Sequence, residues 1–131
     1  MSKILFICSG NVCRSQFAEA YYNHFTKTKN ASSAGLNKET LIKYKKLPEM
    51  LIKLMKEEDI DISKQHPKLL TENMTKKAEK IVVFCEKEKC PDFVIKSGKA
   101  TFYFVPDPYN IPLEDKRKIR DLIRGKVMLV L

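Results

Sequence analysis

Ile4-Leu5-Phe6-Ile7-Cys8-Ser9-Gly10-Asn11-Val12-Cys13-Arg14-Ser15 is the stretch on which the rest of the chain turns. The apolar run at residues 3–7 predicts a central parallel strand, apolar on both faces. From Ser15 to about Thr26 the pattern is helical, with Phe17, Ala18, Tyr21 and Phe25 sharing a buried face. Between strand and helix, a cysteine and an arginine frame a loop. The backbone N–H groups of Ser9, Gly10, Asn11, Val12 and Cys13, with the helix's first turn, converge on one point where the helix dipole also favours negative charge. Arg14 brings a planar fork that pairs with two oxygens of an anion at once. Ser15 can donate its hydroxyl to the Cys8 sulfur, and the same positive field favours the thiolate. The spacing therefore predicts a nucleophile, Cys8, at the bottom of a hole for phosphate or an anion of that shape. A C-x5-R spacing alone arises by chance, and buried cysteines are usually inert. The strand before it, the helix after it and Ser15 directly behind Arg14 are the context such a motif requires.

The remaining pattern alternates strands with helices. Ala31 to Ala34 reads as a second strand ending at Gly35, Ile81 to Phe84 as a buried third, and Thr101 to Val105 as a fourth. Pro48 starts a helix where its missing N–H costs little, with Met50, Leu51, Leu54 and Met55 as its expected buried stripe. Thr71-Glu72-Asn73-Met74 opens a short helix, and Pro112 begins the last one, with Ile119, Leu122, Ile123, Val127 and Val130 on one face. Residues 37–46 are polar, lysine-rich and without clear period, and are expected to form a loop. His24 lies beside a buried helix face, a structural position. The expectation is a single three-layer α/β domain over residues 1–131, with a short four-stranded parallel sheet flanked by helices and right-handed crossovers. Ligands of such sheets bind beyond the carboxyl ends of the strands, the rim where Cys8, Cys85 and Asp107 fall.

Composition narrows the class. The 131 residues, 44% of them apolar, suit one globular core. No apolar run approaches the roughly 18 residues of a membrane span, and residues 3–7 lack the features of a signal peptide. A cytoplasmic protein is expected, with no membrane partner. Lys and Arg total 25 against 16 Asp and Glu, a formal charge of +9. The lysines are spread along the chain as a solvated surface, so no nucleic-acid partner is expected, but the field would draw small oxyanions. Four cysteines beside a C-x5-R loop in a cytosolic chain read as catalytic or redox thiols in preference to structural disulfides.

Expelling a leaving group from the anion needs a proton donor. Asp107, stiffened by Pro106 and Pro108, is the candidate, the alternative being an ordinary Asp-Pro turn.

The loop resembles the phosphate loop shared by the low-molecular-weight protein tyrosine phosphatases and the thioredoxin-coupled arsenate reductases. Arg14-Ser15-Gln16-Phe17-Ala18-Glu19 is similar to the reductase version, since many of the phosphatases have Pro after the Ser. Ser33-Ala34-Gly35, Met55-Lys56-Glu57-Glu58-Asp59-Ile60-Asp61-Ile62-Ser63 and Asp107-Pro108-Tyr109 resemble further landmarks in the right order. The resemblance implies Cys8 as nucleophile, Arg14 and the loop amides as oxyanion site, Ser15 as thiolate partner and Asp107 as general acid. Tyr109 matches an aromatic that walls the substrate slot in the phosphatases. Cys85 and Cys90 resemble the reductase pair: one attacks the sulfur–arsenic adduct, the other closes a disulfide that thioredoxin or a similar thiol reductant reopens. Residues five apart on an α-helix lie about 8–9 Å apart at Cα, beyond the reach of a disulfide of about 7 Å, so a helical spacer would have to unwind whereas a loop would not. A buried Cys85 with an incidental Cys90 is the plain alternative, and the pair plus His66 is too small a ligand set for zinc. No bound cofactor and no metal is expected. Lys68 stands where some reductases carry an acidic potassium ligand, with Asn11, Glu19 and Ser33 at the other positions, and would supply the positive charge itself. Cys13 is a candidate protective partner for Cys8.

The leading reading is an arsenate reductase using Cys8, Cys85 and Cys90. The alternative is a phosphotyrosine phosphatase using Cys8, Arg14 and Asp107 through a cysteinyl-phosphate intermediate. A non-catalytic anion binder is a third class, disfavoured by the intact nucleophile, arginine, serine and acid.

Overall fold

The computed structural model describes residues 3–131. Strand β1 (Ile4–Cys8), buried at every position, pairs in parallel with β2 (Ala31–Gly35) on one side and β3 (Lys80–Val83) on the other. β4 (Ala100–Phe102) pairs in parallel with β3, giving the order β2-β1-β3-β4. The helices are α1 (Arg14–Thr26), α2 (Lys38–Lys43), α3 (Glu49–Lys56), α4 (Glu72–Lys77), α5 (Asp92–Ile95) and α6 (Leu113–Met128). The four-stranded parallel sheet with flanking helices is the α/β architecture expected.

Side chains alternate across a strand, so the sheet feeds two cores. Ile4, Phe6 and Cys8 pack with Phe17 and Tyr21 of α1, Leu54 and Met55 of α3, and Ile123 and Val127 of α6. Leu5, Ile7 and Val83 face the other way, with Ala78, Val94 of α5, Cys85 and Cys90. Register places the end of β1 beside β3, Ile7 opposite Val83, and the Phe84 N–H continues the ladder to the Ile7 carbonyl at 2.9 Å. Cys8 and Cys85 thus emerge at the same end of the sheet but belong to opposite faces.

Four local expectations are corrected. Residues 37–46 are not all loop: α2 forms one and a half turns, started by the Asn37 side chain, which accepts from the Glu39 N–H at 2.9 Å. Met50 is 45% exposed, because the buried stripe of α3 is Leu51, Leu54 and Met55, and residue 50 falls outside that spacing. Leu122 and Phe25 are likewise part-exposed; Ile123 takes the inward position on α6, and Phe25 stacks on Tyr21 with ring centroids 5.6 Å apart. Strand β4 is shorter than Thr101–Val105, although the N–H groups of Tyr103 and Val105 still bond the Val83 and Phe84 carbonyls at 2.9 Å. The predicted openings of α4 and α6 hold, with the Thr71 hydroxyl accepting from the Met74 N–H and Pro112 at the N-cap.

Candidate active site

Residues 9–13 leave the end of β1 and enter α1 at Arg14, so the first turn of that helix faces the space above Cys8. Asn11 makes the turn possible with φ at 55°, a left-handed conformation that asparagine tolerates better than most residues. Its N–H donates to the Cys8 sulfur at 3.3 Å. Gly35, at the end of β2, is the other steric requirement. A Cβ there would stand 2.8 Å from the Gly10 carbonyl carbon and 2.9 Å from the Asn11 nitrogen. The Ser9 carbonyl is held from the same side, accepting from the N–H groups of Leu36 at 2.8 Å and Asn37 at 2.9 Å.

Beneath the loop lies a buried polar chain, and its polarity is determined. The Lys68 backbone N–H, which can only donate, bonds Asn11 Oδ1 at 2.8 Å. The His66 carbonyl, which can only accept, takes Gln16 Nε2 at 2.8 Å; that nitrogen also reaches Asn11 Oδ1 at 3.0 Å. Gln65 Nε2 donates to Gln16 Oε1 at 2.7 Å. With its oxygen so fixed, the Asn11 amide must present Nδ2 to Ser15 Oγ, at 2.6 Å. The Ser15 hydroxyl thereby receives a proton and has its own to give to Cys8 Sγ, 3.0 Å away. Backbone groups of residues 66 and 68 thus orient a donor onto the sulfur. Gln65 carried no signal in the sequence, because its partner Gln16 lies 49 residues away.

Arg14 is 5% exposed. Its Nη1 donates to the carbonyls of Val105 at 2.8 Å and Phe84 at 3.3 Å, which pins the guanidinium to the ends of the last two strands. Nη2 lies 3.8 Å from Asp107 Oδ2, and Asp107 is 63% exposed. The Tyr109 N–H bonds Asp107 Oδ1 at 3.0 Å, a side-chain turn that holds the carboxyl toward the cavity. Lys116 of α6 ties this segment down by donating to the Pro108 carbonyl at 3.2 Å. The cavity, about 660 Å³, is lined by Cys8, the loop, Arg14, Asp107 and Tyr109, and also by Thr40, Lys43 and Tyr44 of the α2 region and Met50 and Leu51 of α3. Cys8, Arg14, Asp107 and Tyr109 therefore share one cleft, with Ser15 directly behind Cys8.

Cys13 lines the same cavity, but burial pushes its thiol up, the Cys8 charge adds to that, and Arg14 only partly offsets it. Cys85 and Cys90 lie outside the cleft. Cys85 follows β3 on the opposite sheet face, and the spacer holds a 3-10 turn, Lys87–Lys89, with Cys90 extended beyond it. Both are free thiols in the same core cluster, with no disulfide between them. Their interaction draws the Cys85 thiol down and the Cys90 thiol up, burial opposes ionisation of both, and the Arg14 charge also favours the Cys85 thiolate. The spacer is short and holds only one 3-10 turn, so no α-helix needs to unwind to bring the thiols together.

Asn11, Glu19, Ser33 and Lys68 converge as the sequence suggests. Ser33 Oγ donates to Glu19 Oε1 at 2.8 Å, and the Lys68 ammonium lies 3.8 Å from that oxygen and 3.1 Å from the His66 carbonyl. Burial lowers the Lys68 pKa and Glu19 opposes the shift. An ammonium already stands against the Glu19 carboxylate and the His66 carbonyl, so this donor set does not fit a potassium ion.

Known proteins place this arrangement. The chain is 37% identical over 127 residues to arsenate reductase 1 of Bacillus cereus, across 95% of this chain and 90% of that one. It is 32% identical over 124 residues to an arsenate reductase of Staphylococcus aureus, across 92% and 89%. The structure superposes on Vibrio vulnificus Wzb in complex with benzylphosphonate with a TM-score of 0.85 at 25% identity, covering 98% and 95% of the two chains. It superposes on an arsenate reductase in the phosphate-binding state with a TM-score of 0.81 at 25% identity, covering 99% and 96%. Residues 3–129 match the profile of the low molecular weight phosphotyrosine protein phosphatases, and the chain belongs to that family of cysteine-dependent enzymes, with arsenate reductases among its homologues.

Proposed function

We propose that the protein is an arsenate reductase in which Cys8 is the nucleophile and Cys85 and Cys90 carry the electrons. Arsenate sits on the loop amides and the Arg14 fork, and Cys8 attacks arsenic while Asp107 protonates the departing oxygen, giving a sulfur–arsenic adduct and water. The Cys85 thiolate then attacks the Cys8 sulfur. The S–As bond breaks, its electron pair leaves with arsenic as arsenite, and a Cys8–Cys85 disulfide remains. Cys90 attacks Cys85, frees the Cys8 thiolate and leaves a Cys85–Cys90 disulfide for an external dithiol, thioredoxin or its like, to reduce. For its attack on the Cys8 sulfur, Cys85 must leave its place on the opposite sheet face to reach the cleft.

The observation that carries this reading is the pair of free thiols, Cys85 and Cys90, buried in one core cluster across a short spacer that is not α-helical, with Arg14 bonded to the Phe84 carbonyl beside Cys85. The decisive assay is arsenate turnover with thioredoxin, thioredoxin reductase and NADPH. Sustained NADPH loss is expected for wild type and none beyond the first turnover for Cys90→Ser. Absence of turnover in both, with good hydrolysis of phosphotyrosine peptides, would exclude it.

A second reading, phosphotyrosine hydrolysis, is favoured by the size of the cleft and by Tyr109 and Tyr44 in its wall, which exceed what a bare oxyanion needs. Here Cys8 takes the phosphoryl group, Asp107 protonates the phenolate and then activates water. This chemistry survives replacement of Cys85 and Cys90.

A further inference from the structure

The rim of the cleft carries charge that neither reaction consumes. Lys43, on the last turn of α2, holds its ammonium 5.3 Å from the Tyr44 ring centroid and 5.5 Å from that of Tyr109. It thus spans the mouth from α2 to the segment bearing Asp107, gripped by two aromatic faces and still exposed to water. Glu39 precedes it by one turn and lines the same cleft, yet the ammonium is turned to the rings, and among the described residues no carboxylate lies within 4.0 Å of it. Lys116 is a second lining cation. Tyr44, Tyr109 and Lys43 all line the cleft above Cys8, so a phosphorylated aromatic ring seated on the loop would enter beneath Lys43, and the neighbouring residue of a peptide would lie within its reach.

We propose that Lys43, assisted by Lys116, is a specificity-determining residue that reads an acidic side chain adjacent to the phosphorylated residue. The substrate class is phosphotyrosine within an Asp- or Glu-bearing segment, an inference that rests on the phosphatase reading of the site. Glu39 works against it and limits the preference.

The test measures kcat/KM at low salt on three phosphotyrosine peptides, flanked by Asp and Glu, by Ser and Gly, or by Lys. Para-nitrophenyl phosphate gives each variant its own baseline. Wild type should favour the acidic over the neutral peptide about fivefold, chiefly in KM, as expected of one solvated ion pair. Lys43→Glu should invert the order, Lys43→Arg should keep it, and Glu39→Gln should widen it. Lys96→Glu changes net charge equally at the opposite end of the sheet and should leave the ratio as in wild type. Hydrolysis of all three peptides at equal kcat/KM, or an identical ratio in Lys43→Glu and wild type, overturns the role of Lys43 while the phosphatase reading stands. Wild type that hydrolyses no phosphorylated probe removes that reading and this inference with it.

Discussion

Ser15 contributes through a single proton. Its hydroxyl oxygen accepts from Asn11 Nδ2 at 2.6 Å, which leaves its hydrogen free to donate to a Cys8 thiolate 3.0 Å away. A hydrogen bond to a charged partner contributes about 1.5–3 kcal/mol. Ser15→Ala should therefore slow iodoacetamide alkylation of Cys8 at pH 7, and turnover with it, by about tenfold or more. The oxyanion affinity should change little, because the loop amides and Arg14 remain. Equal alkylation rates in variant and wild type would show that the hydroxyl does not support the sulfur. Gln16 and Gln65 act one and two steps further out, through the orientation of the Asn11 amide.

Elements meet at the cleft with little slack. Gly35→Ala would drive a Cβ into loop backbone at 2.8 Å, and backbone cannot step aside as a side chain would. A cost of about 1–3 kcal/mol in stability is expected, with turnover reduced further than stability because the displaced atoms belong to the loop that carries Asn11 beside Cys8. Thermal melting and arsenate or aryl phosphate assays on the same preparation check this. A second junction joins the end of α3 to α6, where Glu57 accepts from Arg117 at 2.9 Å and Arg120 at 2.6 Å. These bonds lower the Glu57 pKa from 4.5 to about 2, the Arg117 bond first. A depressed carboxylate contributes stability above its unfolded pKa and loses it as pH falls through the folded one. Glu57→Gln should therefore melt below wild type at pH 7, and the gap should close between pH 4.5 and about 2. A gap that persists at pH 2 would assign the effect to packing.

At the scale of the molecule, a net charge of +9 surrounds a cleft whose base is Arg14 and whose rim carries Lys43 and Lys116. Such a field raises the encounter rate with small oxyanions and weakens as the Debye length shrinks from about 10 Å at 0.1 M salt toward 3 Å at 1 M. Raising salt from about 0.05 to 0.5 M should lower kcat/KM for a free oxyanion or aryl phosphate several-fold, with kcat little altered. The parallel sheet makes this focusing possible, since Cys8, Asp107 and the carbonyls that anchor Arg14 all leave the same edge.

Local chemistry was legible in the residues themselves. An unbroken apolar run, a glycine and asparagine in the turn, and Arg14-Ser15 opening a helix determine a strand, an anion loop and a helix, because each rests on neighbours in the chain. Proline and threonine marked the starts of α3, α4 and α6 for the same reason. Long-range placement was not legible. Nothing near residue 65 announces that its amide orients Gln16, and nothing near Lys43 announces two tyrosine faces. The helix at Lys38–Lys43 escaped periodicity because it is too short to show one and is set by a single asparagine cap. The separation of Cys85 from the cleft, on the far face of the sheet, depends on register between β1 and β3. One residue of slip would turn that thiol to the other face, so only the tertiary pairing decided which sulfurs meet.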